Sequence, residues 1–140
     1  MNEPQIAPAP RLRVVLPGVV SWSRPRIGRG GVRYPPAYAR ARDAWALLVA
    51  QTVRDARWVP PPAARYRVDV AVFGGGKRDL DRVCTATLDA LQAGGAVQDD
   101  CLVDALVAAR SPAGRRQAPR TVVEVSVCGG GRRSAERRLL

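Results

Sequence analysis

The chain has 140 residues, room for one domain of ordinary size, and no histidine, which excludes every mechanism that needs an imidazole as base, nucleophile activator or metal ligand. Its 23 basic and 12 acidic side chains leave a net charge of +11, which implies a polyanionic partner, and nucleic acid fits better than a membrane in a chain without a basic amphipathic helix. Cys84, Cys101 and Cys128 are odd in number and lack a CxxC, which argues against a disulfide framework or zinc site, and the longest apolar run, "AWALLVA", is far short of the ~18–20 residues of a membrane span.

In chain order, the start "MNEPQIAPAP" lacks the charged and apolar regions of a secretory signal, so a cytoplasmic protein with a disordered lead over 1–10 is expected. "LRVVL" reads as a strand stopped by Pro17-Gly18. "SWSRPRIGRGGVRYPP" reads as a loop whose aromatics, Trp22 and Tyr34, alternate with cations such as Arg24 and Arg26, a composition suited either to a phosphate backbone or simply to solvent. From Pro36 to Arg57 apolar residues recur at three and four, predicting an amphipathic helix ended by Pro60–Pro62.

"RYRVDVAVF" alternates as a half-buried strand, and the glycines of "GGGK" let the chain leave the sheet. This is not a phosphate loop, because the GxxxxGK[ST] spacing is missing. A second helix is predicted from about Leu80 to Ala93, with Gly94-Gly95 as its stop. Leu102 to Ala109 and Thr121 to Val127 read as two strands joined by the basic loop "RSPAGRRQAPR", and 129–140 as a mobile basic tail. The order β-α-β-α-β-β predicts one α/β (or α+β) domain over 11–128, with about four strands in a mixed sheet packed with two main helices.

The charge is not evenly spread. Asp79, Asp81, Asp89, Asp99, Asp100 and Asp104 face a single cation, Arg82, within their window, a net −5, while the rest of the chain carries 22 basic and 6 acidic side chains. Two like unit charges at 4 Å repel by about 4 kcal/mol at an effective dielectric near 20. Clustered carboxylates must therefore be spread apart, share protons or hold a cation. Oxygen ligands without histidine or paired cysteines favour Mg²⁺, with Mn²⁺ as a substitute.

Asp79 and Asp81 lie two apart at the end of an extended segment, on one side of it, and Asp99-Asp100 follow the helix, where the reversal after Gly94-Gly95 can fold them back along it. Each acid also has a plainer reading. Asp79 or Asp81 can cap the helix, Asp99 and Asp100 can be turn residues, Asp89 can hold a structural partner, and Asp104 suits a surface ion pair.

At these residues the chain resembles the RusA-like Holliday-junction resolvases of bacteria and phages. The resemblance rests on "KRDLD", "TLDAL", "AGGAV" and "DDCLV", without gaps across Lys77 to Val103, with "VLPGVVSWSRPR" similar to that family's first strand and proline-containing loop, and "RTVVEVSV" similar to its last strand. It implies a homodimer, bacterial or phage-encoded, that nicks four-way or otherwise branched DNA in recombination and repair, without a small-molecule cofactor or a membrane partner. By position, Asp79, Asp81 and Asp100 would be the catalytic carboxylates, holding Mg²⁺ with Asp99 as an auxiliary ligand. Bound metal would activate water and stabilise the leaving 3′ oxygen. Arg24, Arg26, Lys77, Arg78, Arg82, Arg115 and Arg116 would hold DNA phosphates. The family's asparagine after DxD and its lysine four residues after the second Asp are here Arg82 and Thr85. A relative that binds junctions without cutting them is the rival reading, and a basic RNA-binding protein explains the charge but not the acids.

Overall fold

Alternation of apolar and polar residues decides which face of each strand is buried. The computed structural model describes residues 10–114 and 117–128, so nearly all of the expected lead, the tail and the Arg115-Arg116 pair lie outside the described residues. In β1 (Arg11–Pro17) every second residue, Leu12, Val14 and Leu16, is buried. The pattern repeats in β4 (Arg65–Phe73), through Tyr66, Val68, Val70 and Val72, and in β6 (Arg120–Cys128), through Thr121, Val123 and Val125. Together with β5 (Val103–Ser111) these strands form a mixed four-stranded sheet in the order β1-β6-β4-β5, antiparallel except for β4 and β5.

Two helices cover the buried face. α1 (Pro36–Asp55) has a proline in its first turn, where a missing N–H costs nothing, and turns Tyr38, Trp45 and Val49 inward. The Trp45 indole donates to Pro17 O at 2.8 Å and so ties α1 to the end of β1. α2 (Leu80–Ala93) buries Val83, Cys84, Ala86, Thr87, Ala90 and Leu91. It ends in a Schellman turn, in which Ala96 N donates to Leu91 O at 2.8 Å and Gly95 N to Gln92 O at 3.2 Å. The domain is thus a single α/β unit with the sheet and helix count that the sequence predicts. Among the described residues no helix is long and apolar enough to cross a membrane.

Three details differ from the sequence reading. The segment expected to be a plain loop contains a ribbon, β2 (Arg26–Gly28) antiparallel to β3 (Gly31–Arg33). α1 stops at Asp55 and not at Arg57, which takes a left-handed φ of 51° that no helix interior allows. Leu102 lies in a short 3-10 turn (Asp100–Leu102), and β5 begins one residue later.

The helices come close together at Gly94. A Cβ there would lie 2.5 Å from Val49 Cγ1 and 2.7 Å from Ala46 O. Gly94→Ala should therefore destabilise the domain by about 1–3 kcal/mol, the usual cost of overpacking. Urea unfolding checks this, and an unchanged midpoint would mean that α1 and α2 are not in such close contact.

Candidate metal and nucleic-acid site

β4 leaves the sheet through Gly74, Gly75 and Gly76, all with positive φ. Gly75 needs its glycine twice over, since its φ is +86° and a Cβ would come within 2.8 Å of Val19 Cγ2. Arg110, at the end of β5, reaches this loop and donates to Arg78 O and, at 3.5 Å, to Gly76 O. The loop delivers Asp79 to the capping position of α2, with φ −65° and ψ 128°, yet its carboxylate makes no capping hydrogen bond. Its contact is with Arg82, three residues on, at 3.9 Å. Asp81 is exposed in the first turn. Because the helix starts at Leu80, the pair shares a helical turn and is not aligned by strand spacing. Thr85 spends its hydroxyl on Asp81 O at 3.1 Å.

At the other end of α2, the Gln92 side-chain oxygen accepts from Asp100 N at 3.1 Å. Asp99 caps the 3-10 turn, its carboxylate accepting from Cys101 N at 3.0 Å. That N–H, helped by the Cys101 thiol and the Asp100 side chain, holds Asp99 below the usual carboxylate range. The hydrogen bond to Asp99 raises Asp100 above it, with slight burial and the charges of Asp99 and Asp89 acting the same way. Asp89 accepts from the Tyr38 hydroxyl at 2.9 Å, which joins α2 to α1 and fits its structural reading. Asp104 pairs with Arg65.

The two halves of the acidic set therefore lie at opposite ends of α2, separated by on the order of 15–20 Å at 1.5 Å per residue. The reversal after Gly94-Gly95 does not fold Asp99-Asp100 back along the helix, because β5 pairs its first residue, Val103, with Tyr66 at the start of β4. Among the described residues no three acids or cysteines are close enough to hold a metal ion together. The donor chemistry still suits Mg²⁺, which is commonly held by one or two carboxylates plus substrate phosphates. Each end of α2 offers two. Among the described residues, Asp81, Asp99 and Asp100 have no cationic side chain within 4.0 Å.

Lys77, Arg78 and Arg82 are exposed around Asp79, as are Arg24 and Arg26 in the segment before α1. That segment is fixed beside them, for Trp22 N donates to Arg82 O at 3.0 Å. Sequence reasoning missed Arg110, whose place at the end of a parallel strand depends on a pairing that no local pattern reveals. It also missed Arg29 and Arg33, although the Gly-rich turn between them was a signal for a hairpin. No family model matches the chain, and no curated protein matches it.

The paired aspartates give a pH expectation. Asp99, whose value is lowered, contributes stability that is complete above the ordinary carboxylate range and is lost as pH falls through its lowered value. Asp100, whose value is raised, has the opposite sign, since its repulsion is present at neutral pH and relieved as pH falls. Asp99→Asn should return Asp100 toward the ordinary aspartate range. Carboxyl ¹³C titration reads this directly, and an unmoved Asp100 would mean that Asp99 is not its main neighbour.

Proposed function

We propose that the protein is a Mg²⁺-dependent endonuclease that nicks four-way or branched DNA. The observation that carries this is that, among the described residues, Asp81 at one end of α2 and Asp99 and Asp100 at the other have no cationic side chain within 4.0 Å, in a chain with a net charge of +11. The resemblance of Lys77 to Val103 to RusA-like resolvases supports the same reading. Bound Mg²⁺ supplies Lewis acidity toward a phosphate oxygen and a more acidic water. Asp79 and Asp81 hold it at one end of α2, while Lys77, Arg78 and Arg82 hold the phosphates that enter beside them.

The test is a labelled four-way junction and a matched linear duplex, each incubated with Mg²⁺ or EDTA. Cleavage of the junction alone, and only with Mg²⁺, is expected. Asp79→Asn, Asp81→Asn and Asp100→Asn should abolish cleavage and leave junction binding intact or tighter, while Asp104→Asn should change little. Near-wild-type cleavage by all four variants would remove the aspartates from the reaction, and binding without cleavage under any metal would favour the non-cutting relative.

The separation of the two acidic pairs bears on the homodimer. β5 is an edge strand with exposed Leu106 and Val107, and such edges are open to pairing with another chain. Antiparallel pairing of two β5 edges about a two-fold axis sets the start of each strand beside the end of the other. Asp99-Asp100 of one subunit then approach the loop, held by Arg110, that carries Asp79 in the second. Each site would thus be shared between subunits. Co-refolding an Asp79→Asn/Asp81→Asn chain with an Asp100→Asn chain should then restore one intact site per mixed dimer and single nicks. Mixed dimers that form, by light scattering, and remain inactive would place each site within one chain.

A further inference from the structure

Residues 26–33, which make up the β2–β3 ribbon and its turn, are all exposed. Ile27 and Val32 face each other directly across the two strands, 88% and 66% exposed, while the next pair, Arg26 and Arg33, points to the opposite face. An isolated two-stranded ribbon is only marginally stable, and burying neither of its apolar side chains contributes nothing to this fold. Its base, by contrast, is tied down. Gly18 N donates to Pro119 O at 2.9 Å, Trp22 N to Arg82 O at 3.0 Å, and beyond the ribbon the Tyr34 ring packs on Tyr38 at 5.2 Å. The ribbon is a fixed arm with a bare apolar face.

We propose that this arm is a wedge for branched DNA, its arginines gripping phosphates while Ile27 and Val32 enter the opening at the branch point and cover bases unstacked there. The proposal rests on the nuclease reading for its substrate and deepens it by naming how a branch is told from a duplex. Three observations select DNA as the occupant. No acid lies between Glu3 and Asp43 in the sequence, and among the described residues none pairs with Arg24, Arg26, Arg29 or Arg33, which leaves these four cations open to phosphates. A strand of three residues spans ~10 Å, a length that fits within a groove ~12 Å wide. The bond from Trp22 to Arg82 fixes the base of the arm to the first turn of α2, which carries Asp81. In a continuous duplex this apolar pair would first have to unstack a base step, at a cost of about a few kcal/mol. A branch point offers bases already unstacked, and small apolar wedges between base steps are a known way to hold DNA kinked or open.

The experiment uses the full chain in EDTA with two four-way junctions, one carrying 2-aminopurine at the branch point and one in mid-arm. Wild-type protein should raise the fluorescence at the branch point and not in mid-arm. Ile27→Ser/Val32→Ser should lose most of that rise while keeping the salt dependence of binding, and circular dichroism should show the fold unchanged. Arg26→Ala and Arg29→Ala should each flatten the slope of log K against log salt by about 0.9. A serine variant that keeps the full rise, or a rise equal at both positions, overturns the wedge. If the rise depends on Ile27 and Val32 but the protein never cuts with Mg²⁺, the nuclease reading fails and the wedge stands. Cutting by a serine variant whose rise is undiminished fails the wedge alone. A protein that prefers RNA or another protein to the junction overturns both.

Discussion

Because β4 and β5 lie side by side and run in the same direction, the chain between them has to return the length of the sheet before β5 can begin. α2 makes most of that return, its fourteen residues covering ~21 Å along strands of nine residues, ~30 Å. From this one pairing the rest follows. The residues that precede α2 are placed at the far edge of the sheet with the last residues of β5, and those that follow it with the first. Arg110 therefore meets the glycine loop, Asp104 meets Arg65, and the acids divide into two pairs, each with its own surroundings.

The surroundings then decide which carboxylates are available. Asp69 has an arginine two residues away, Arg67 at 3.0 Å, Asp43 has its neighbour Arg42 at 3.2 Å, and Asp104 has Arg65. Exposed pairs of this kind contribute at most about 1 kcal/mol each, so their effect is less on stability than on charge, which they cancel locally. Among the described residues, Asp99 and Asp100 are surrounded by each other, Cys101 and Gln92, with the charge of Asp89 also felt at Asp100, and their protonation is drawn apart in opposite directions. Asp79 sits where a helix cap is normally made and makes none, which leaves its oxygens facing solvent.

The elements built on a clear period were legible in the sequence. β4 and α2 end where the pattern and the glycines end, because alternation and helical spacing are direct consequences of which face meets the core. The ribbon had only a turn signal, Gly30-Gly31, since three-residue strands whose apolar residues, Ile27 and Val32, are both exposed have no buried face to impose a period. The aspartates were legible as a set, because a run of acids in so basic a chain stands out, but their division was not. Whether Asp99-Asp100 return to Asp79 depends on whether Val103 pairs at the start or the end of β4, and both arrangements satisfy the same hydrophobic pattern.

The same geometry bears on where a cation for the developing phosphate charge would come from. On the exposed face of α2, one turn after Asp81, stands Thr85, whose hydroxyl is bonded back to Asp81 O and which carries no charge. The helix therefore offers nothing there. The cations beside Asp79 and Asp81 come from the approach to the helix instead, Lys77 and Arg78 on the glycine loop and Arg82 in the first turn. Two of these three are held in shape by other elements, Arg78 through its carbonyl and Arg110, Arg82 through its carbonyl and Trp22, while both side chains remain exposed. Fixing the backbone and leaving the guanidinium exposed, with only the long contacts of Arg78 to Gly75 O at 3.5 Å and of Arg82 to Asp79 at 3.9 Å, lowers the ordering cost of gripping a phosphate. Under the endonuclease reading, the groups that bind DNA and those that stabilise the reaction are then one set of cations, Lys77, Arg78 and Arg82, positioned by the glycine loop and the first turn of α2.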